Sequence, residues 1–171
     1  SGNVSFYNET NNINIPPTPQ IGAVGVIDDY RKVISYNSFH INDEIYLIGA
    51  HGTHLSSSAY ERCFFDHKII KKDSVPPKVN LTSEKNNGNL ITKLINKKII
   101  SACHDISDGG LLIALLEMCI SRKVTINFSK QFKSHTFLFG EDQSRYIITM
   151  DRIKLKEFEK ILKIHKSNLQ K

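Results

Sequence analysis

No stretch of 18 apolar residues occurs in this 171-residue chain, so no membrane-spanning helix and no membrane partner are expected. Cysteine is scarce. Cys63, Cys103 and Cys119 have neither metal-ligand spacing nor an even count for pairing. Reduced, mostly buried thiols and a cytosolic, hence cytoplasmic, compartment are therefore expected. The first residues hold no basic segment followed by an apolar one, so no secretory leader is expected there. In such a compartment the Asn-x-Ser/Thr triplets at Asn3, Asn8 and Asn80 carry no weight as glycosylation acceptors. Walker A, GxSxG, Rossmann and HExxH patterns are all missing. His40, His51, His54, His67, His135 and His165 show no ligand spacing. Basic residues are not interleaved with aromatics as nucleic-acid modules require, so no nucleic-acid partner is expected. There is no internal repeat and no low-complexity tract.

What is present is ordinary for a globular chain: 40% hydrophobic and 23% charged residues, with a formal charge of +6. A chain of this length buries roughly 70% of its extended surface, enough for a real core. The positive charge suits anionic partners. The lysines are nevertheless spread among many Asn and Ile residues, which reads as compositional drift.

Residues 1–20 are polar, Asn-rich and end in Pro16, Pro17 and Pro19, so they read as an extended lead-in. Strands are expected at 21–27, 44–49, 99–103, around 124–128, at 137–139 and at 145–150. Helices are expected from Ser58 through Phe65, from Thr82 onward, at 109–121 and at 153–164. The 109–121 segment is apolar almost all round, which predicts deep burial. Strands and helices interleave. The fold class is therefore α/β (α+β), one mixed sheet covered by helices.

Three stretches carry candidate chemistry. In HDISDGG (104–110) two acids, a histidine and two glycines stand between a strand and a helix. A helix N-terminus offers unpaired N–H groups and partial positive charge. Ser107 or Asp108 suits the N-cap, and His104 and Asp105 sit just past a strand end, where α/β sheets place ligands. Phosphate or metal binding and a capped helix packed closely through its glycines both remain open. GEDQSR (140–145) offers two acids and an Arg for a metal or salt bridge, or forms a solvated hairpin turn. At the start, SGNVS offers Gly2 for close backbone approach, the Asn3 amide oxygen for Mg²⁺ and the Ser5 hydroxyl as a donor.

The stretches SGNVSFYNET, IPPTPQIGAVGVIDD, SACHDISDGGLLIALLEM and LFGEDQSRYIITM together resemble the C-terminal part of the synthetase subunits of phosphoribosylformylglycinamidine synthase, the PurL family. HDISDGG alone is shared with the wider aminoimidazole ribonucleotide synthetase superfamily. GNVSFYNE with PTPQIG is more specific. The resemblance implies the C-terminal lobe of the PurM-like fold, with residues 1–20 as lead-in carrying GNVS and 21–171 as the domain, cut short at its C-terminus. It implies ATP-dependent amidation of formylglycinamide ribonucleotide with glutamine-derived ammonia. ATP and Mg²⁺ are the implied cofactors. The implied partners are a glutaminase subunit, a small bridging subunit and the rest of the synthetase chain. It places a nucleotide contact on Gly2, a Mg²⁺ ligand on Asn3 and a substrate contact on Ser5, with His104 and Asp105 as secondary candidates. LSSSAY (55–60) departs from the Gly-rich, acid-containing loop usual there, which puts a ligand role for that loop in doubt. The implied piece is inactive alone. The alternatives are a scaffold lobe that packs on the rest of the synthetase, or another superfamily member.

Overall fold

The computed structural model describes residues 9–15, 21–65, 74–120, 122–127, 134–165 and 169–170. Two units separate at the 30/31 junction. The first contains a small hairpin, β1 (Glu9–Thr10) and β2 (Ile13–Asn14), with Glu9 opposite Asn14 and Thr10 opposite Ile13. Asn11 and Asn12 turn the chain with φ of 53° and 60°, the left-handed pair a two-residue hairpin loop needs and Asn tolerates. Part of the expected extended lead-in is thus a hairpin. The expected strand at 21–27 pairs with nothing among the described residues. Ile21, Val24 and Val26 are almost fully exposed. An alternating apolar pattern calls for a ladder partner, and this unit offers none.

The second unit is built on a four-stranded sheet in the order β4-β5-β3-β6: β3 (Glu44–Ile48), β4 (Ala102–Asp105), β5 (Tyr146–Met150) and β6 (Leu169–Gln170). Every described ladder is antiparallel. Ile45 faces Thr149, and Cys103 faces Ile148. The described sheet is therefore antiparallel, where a mixed one was expected. Side chains alternate between faces along a strand. Tyr46, Ile48, Ile148 and Met150 enter one core, while Leu47, Ile147 and Ala102 enter the other. Helices pack on both faces, so the middles of β3 and β5 read as short apolar runs.

Helices α2 (Leu81–Asn96) and α5 (Leu155–His165) cover the first face through Leu90, Ile91, Leu94, Phe158 and Ile161. The Asn80 side chain caps α2 by accepting from Ser83 N–H at 3.0 Å. Helices α3 (Gly110–Cys119) and α4 (His135–Phe139) cover the second face through Leu111, Ala114, Leu115, Met118 and Phe137. Helix α1 (Ala59–Phe64) follows the 51–58 loop.

Several expectations are corrected. Residues 137–139 are helical, because Ser134 caps α4 by accepting from Phe137 N–H, and so short an apolar run fits either period. Residues 124–127 join no ladder, and Phe128 lies outside the described residues. β4 starts three residues later than expected, since Ile99 and Ile100 are buried in the approach to the strand. Helix α3 is not buried all round: Leu116 and Ile120 are exposed. No helix of the described residues is long and apolar enough to cross a membrane.

Candidate functional site

HDISDGG and GEDQSR, far apart in sequence, form one cleft. It has a volume of about 350 Å³ and is bordered by Asp105, Asp108, Glu141, Gln143, Arg145 and Tyr146, with Glu84 of α2 and the Pro76-Pro77 lip opposite. The β4–β5 register brings the stretches together by setting Asp105 opposite Tyr146. Ile106 N–H then donates to Arg145 O at 2.9 Å, continuing the contact into the loop.

His104 and Asp105 are the last residues of β4 rather than lying beyond its end. Strand alternation starts their side chains on opposite faces, yet the two still meet at the strand edge. Asp105 borders the cleft and His104 does not. His104 is held on the α3 side, with Nε2 2.9 Å from Glu117 Oε2 and Nδ1 3.3 Å from Asp105 Oδ1. The Tyr36 ring tilts over it at 5.2 Å.

The N-terminus of α3 is not free. Neither Ser107 nor Asp108 caps it. Gly109 is the N-cap residue, with φ 82° and no side-chain cap bond. Instead Glu141 Oε1 accepts from Gly109 N–H at 2.8 Å and from Ala59 N–H at 2.7 Å. One carboxylate oxygen thus ties the starts of α1 and α3 to the GEDQSR loop, and an anionic acceptor suits both helix dipoles. Gly110 settles the second half of the earlier alternative. Its φ is 74°, and a Cβ there would fall 2.6 Å from the Phe139 carbonyl carbon. The glycine lets two backbones touch, which is the close-packing reading of the motif.

GEDQSR is not a solvated hairpin turn. It joins α4 to β5. Asp142 accepts from Thr53 N–H at 3.0 Å and from the Thr53 hydroxyl at 2.7 Å, pinning the 51–54 loop. Asn87 of α2 donates to Ser144 O at 2.9 Å. Arg145 is buried, and its Nη1 donates to Gly140 O at 2.8 Å, while Nε and Nη2 find no partner among the described residues. Burial pulls the guanidinium below its usual pKa, and Asp142 opposes that shift. Burial, followed by the charges of Glu84, Cys103 and Asp105, pushes the Tyr146 phenol up. Sequence reasoning missed Glu141 as a double cap. Its only signal was an acid two residues before Gln143, with no clue to the distant N–H groups it would meet.

Gly2, Asn3 and Ser5 lie outside the described residues. Among the described residues no group of three or more His, Cys, Asp or Glu side chains is arranged to hold a metal. At the start of α3, the Gly109 N–H already meets a carboxylate. The described face does not by itself fit Mg²⁺ or a nucleotide phosphate. The 55–60 loop closes on itself: Ser58 caps α1, and Ser57 N–H donates to Glu61 and Ser74. The Ser74 hydroxyl and Ser57 N–H hold the Glu61 carboxyl below its ordinary pKa.

Known proteins resemble this chain at two levels. The PurL subunit of phosphoribosylformylglycinamidine synthase from Pelagibacter ubique is 43% identical over 165 residues, which is 95% of this chain and 22% of the relative. The same subunit from Bartonella bacilliformis is 46% identical over 153 residues, 88% of this chain and 20% of the relative. The chain therefore spans about a fifth of the length of these relatives. Among solved structures, Thermotoga maritima PurL complexed with FGAR (so described) superposes with a TM-score of 0.61 at 13% identity, covering 82% of this chain and 25% of that one. That likeness speaks for the fold alone. The model of the family described as AIR synthase related protein, C-terminal domain, matches residues 41–169, and the chain belongs to that family.

Proposed function

We propose that this chain is a lobe of a PurL-type synthetase, which uses ATP and ammonia released from glutamine to convert formylglycinamide ribonucleotide to formylglycinamidine ribonucleotide in purine biosynthesis. The observation that carries this reading is the 43% identity to a PurL subunit across 95% of the chain. The domain would run from 21 to 171, with 1–20 as the lead-in that bears GNVS. In the intact enzyme Gly2 would contact the nucleotide, Asn3 would ligate Mg²⁺ and Ser5 would contact the substrate. ATP would supply the phosphoryl group that activates the amide oxygen, and Mg²⁺ would offset phosphate charge. His104 and Asp105 are secondary candidates, and Asp105 is the better placed because it borders the cleft. The partners would be a glutaminase subunit, a small bridging subunit and the remainder of the synthetase, in the cytoplasm.

The test is an amidation assay with ammonium, ATP and formylglycinamide ribonucleotide, run with the chain alone and with the rest of the synthetase added. Activity only in the combined sample, lost with Asn3→Ala, supports the proposal. Turnover by the chain alone would overturn the fragment reading. Combined activity that Asn3→Ala leaves unchanged would overturn the metal assignment. A second reading, a scaffold lobe, is favoured by the Glu141 cap that fills the α3 N-terminus. It predicts that Asp105→Asn leaves the combined rate unchanged.

A further inference from the structure

A second cavity, of about 660 Å³, opens on the α3 face of the sheet, and none of its lining residues borders the cleft. Its volume falls within the ~300–1,000 Å³ range of small-molecule sites. The walls are apolar, chiefly Ile45, Leu115, Met118 and Ile126. The rim carries Arg122 and Lys123. Arg122 lies with its guanidinium carbon 4.6 Å over the Phe39 ring and its Nη1 2.5 Å from Phe39 O. Only that one nitrogen is engaged among the described residues. Lys123 is exposed and makes no ion pair among them. The acid in the lining, Asp43, is already satisfied. It accepts from His40 N–H at 2.9 Å and from the Ser101 hydroxyl, and lies 3.5 Å from the His40 imidazole. Two cations against this one carboxylate leave the lining net positive.

A purely polar anion would leave the walls unfilled, and a purely apolar ligand would leave two cations without a counterpart. We propose that this cavity binds a free, small amphipathic carboxylate, with its apolar tail against Ile45, Leu115 and Met118 and its head between Lys123 and Arg122. Guanidinium and ammonium groups both pair with carboxylate, while the tail gains from leaving water.

The test is a methyl NMR titration of the chain with decanoate below its micelle concentration, in parallel with decanol. The expected result is saturable shifts confined to the Ile45, Leu115, Met118 and Ile126 methyls, with decanoate binding several-fold more tightly than decanol. Lys123→Glu is expected to weaken decanoate about tenfold and leave decanol unchanged, because reversing a rim charge acts on the head group alone. Met118→Trp, which fills the cavity, is expected to abolish both. Should that variant fail to fold, the Lys123 result decides. Equal affinity for decanol, shifts scattered over the surface, or decanoate binding unaffected by Lys123→Glu would each overturn the proposal.

Discussion

The two faces of the sheet are finished differently. On the α2/α5 face, Leu90, Leu94, Ile148, Met150 and Phe158 are all completely buried. On the α3/α4 face, a similar number of apolar side chains leaves a cavity beside Met118. Helix length is part of the cause. Helix α2 has 16 residues and α5 has 11, whereas α4 has only five. A short helix cannot cover the area that a long one does, so the described residues leave part of the second face open. The closed face carries stability and the open one has surface left for ligands or neighbours.

The largest effect that sharpens this contrast is thiol reactivity. Cys103 packs against the closed core, and burial, with a smaller contribution from Asp105, pushes its thiol up to about 12. Cys119 borders the open face, and its thiol is also raised by burial, with Arg122 opposing. Cys63 is exposed. The thiolate is the reacting form. Against an ordinary thiol pKa of about 8.5, Cys103 should hold roughly a thousandfold less thiolate at pH 8. Iodoacetamide labelling followed by mass spectrometry is expected to modify Cys63 first, then Cys119, and Cys103 only on unfolding. The sign for stability follows. A thiol raised in the fold contributes fully below its unfolded value and loses that contribution as pH climbs from about 8.5 toward 12. Cys103 labelled as fast as Cys63 would mean the closed face is open in solution.

Core truncation comes next. Phe158→Ala on the closed face is expected to cost about 3–5 kcal/mol. Ile120→Ala on the open face should change stability by no more than about 0.5 kcal/mol. Urea unfolding of both variants measures the difference, and equal losses would erase the distinction. A third step compares two glycines. Gly110→Ala forces a Cβ against the Phe139 backbone at positive φ, at an expected cost of about 2–4 kcal/mol. Gly88 lies in α2 with nothing within 4 Å of an added Cβ. Gly88→Ala is therefore expected to stabilise by up to about 1 kcal/mol.

The sequence showed α2, α3, α5, β3 and β5 because their periods are long or their apolar runs unmistakable. Leu90, Ile91 and Leu94 announce a helix face wherever they stand. Residues 137–139 were misread because three apolar residues carry no period, and the deciding Ser134 cap lies outside the run. Residues 21–27 were misread for the opposite reason: the pattern is good, but a strand exists only with a partner, and pairing is not a local property. At the cleft, the residue types in HDISDGG and GEDQSR were legible. Their meeting was not, because it depends on the antiparallel β4–β5 register. For the same reason Gly110 could equally have served a ligand or a backbone until Phe139 was seen beside it.

The last test bears on the joint between those stretches. Glu141 lies in a loop yet fixes two helix starts, so its loss should loosen α1 and α3 together. Glu141→Ala strands the N–H groups of Gly109 and Ala59 and is expected to cost about 2–3 kcal/mol, the range for charge-assisted bonds to partly buried donors. Glu141→Gln keeps an acceptor oxygen and loses only the charge, so about half that loss is expected. If the carboxylate serves purely as a cap, the rest of the cleft should be untouched, and hydrogen exchange should quicken only at the first turns of α1 and α3. Faster exchange along β4 and β5 as well would mean that Glu141 holds the cleft as a whole, and that the cap and the Asp105–Tyr146 pairing form one cooperative unit.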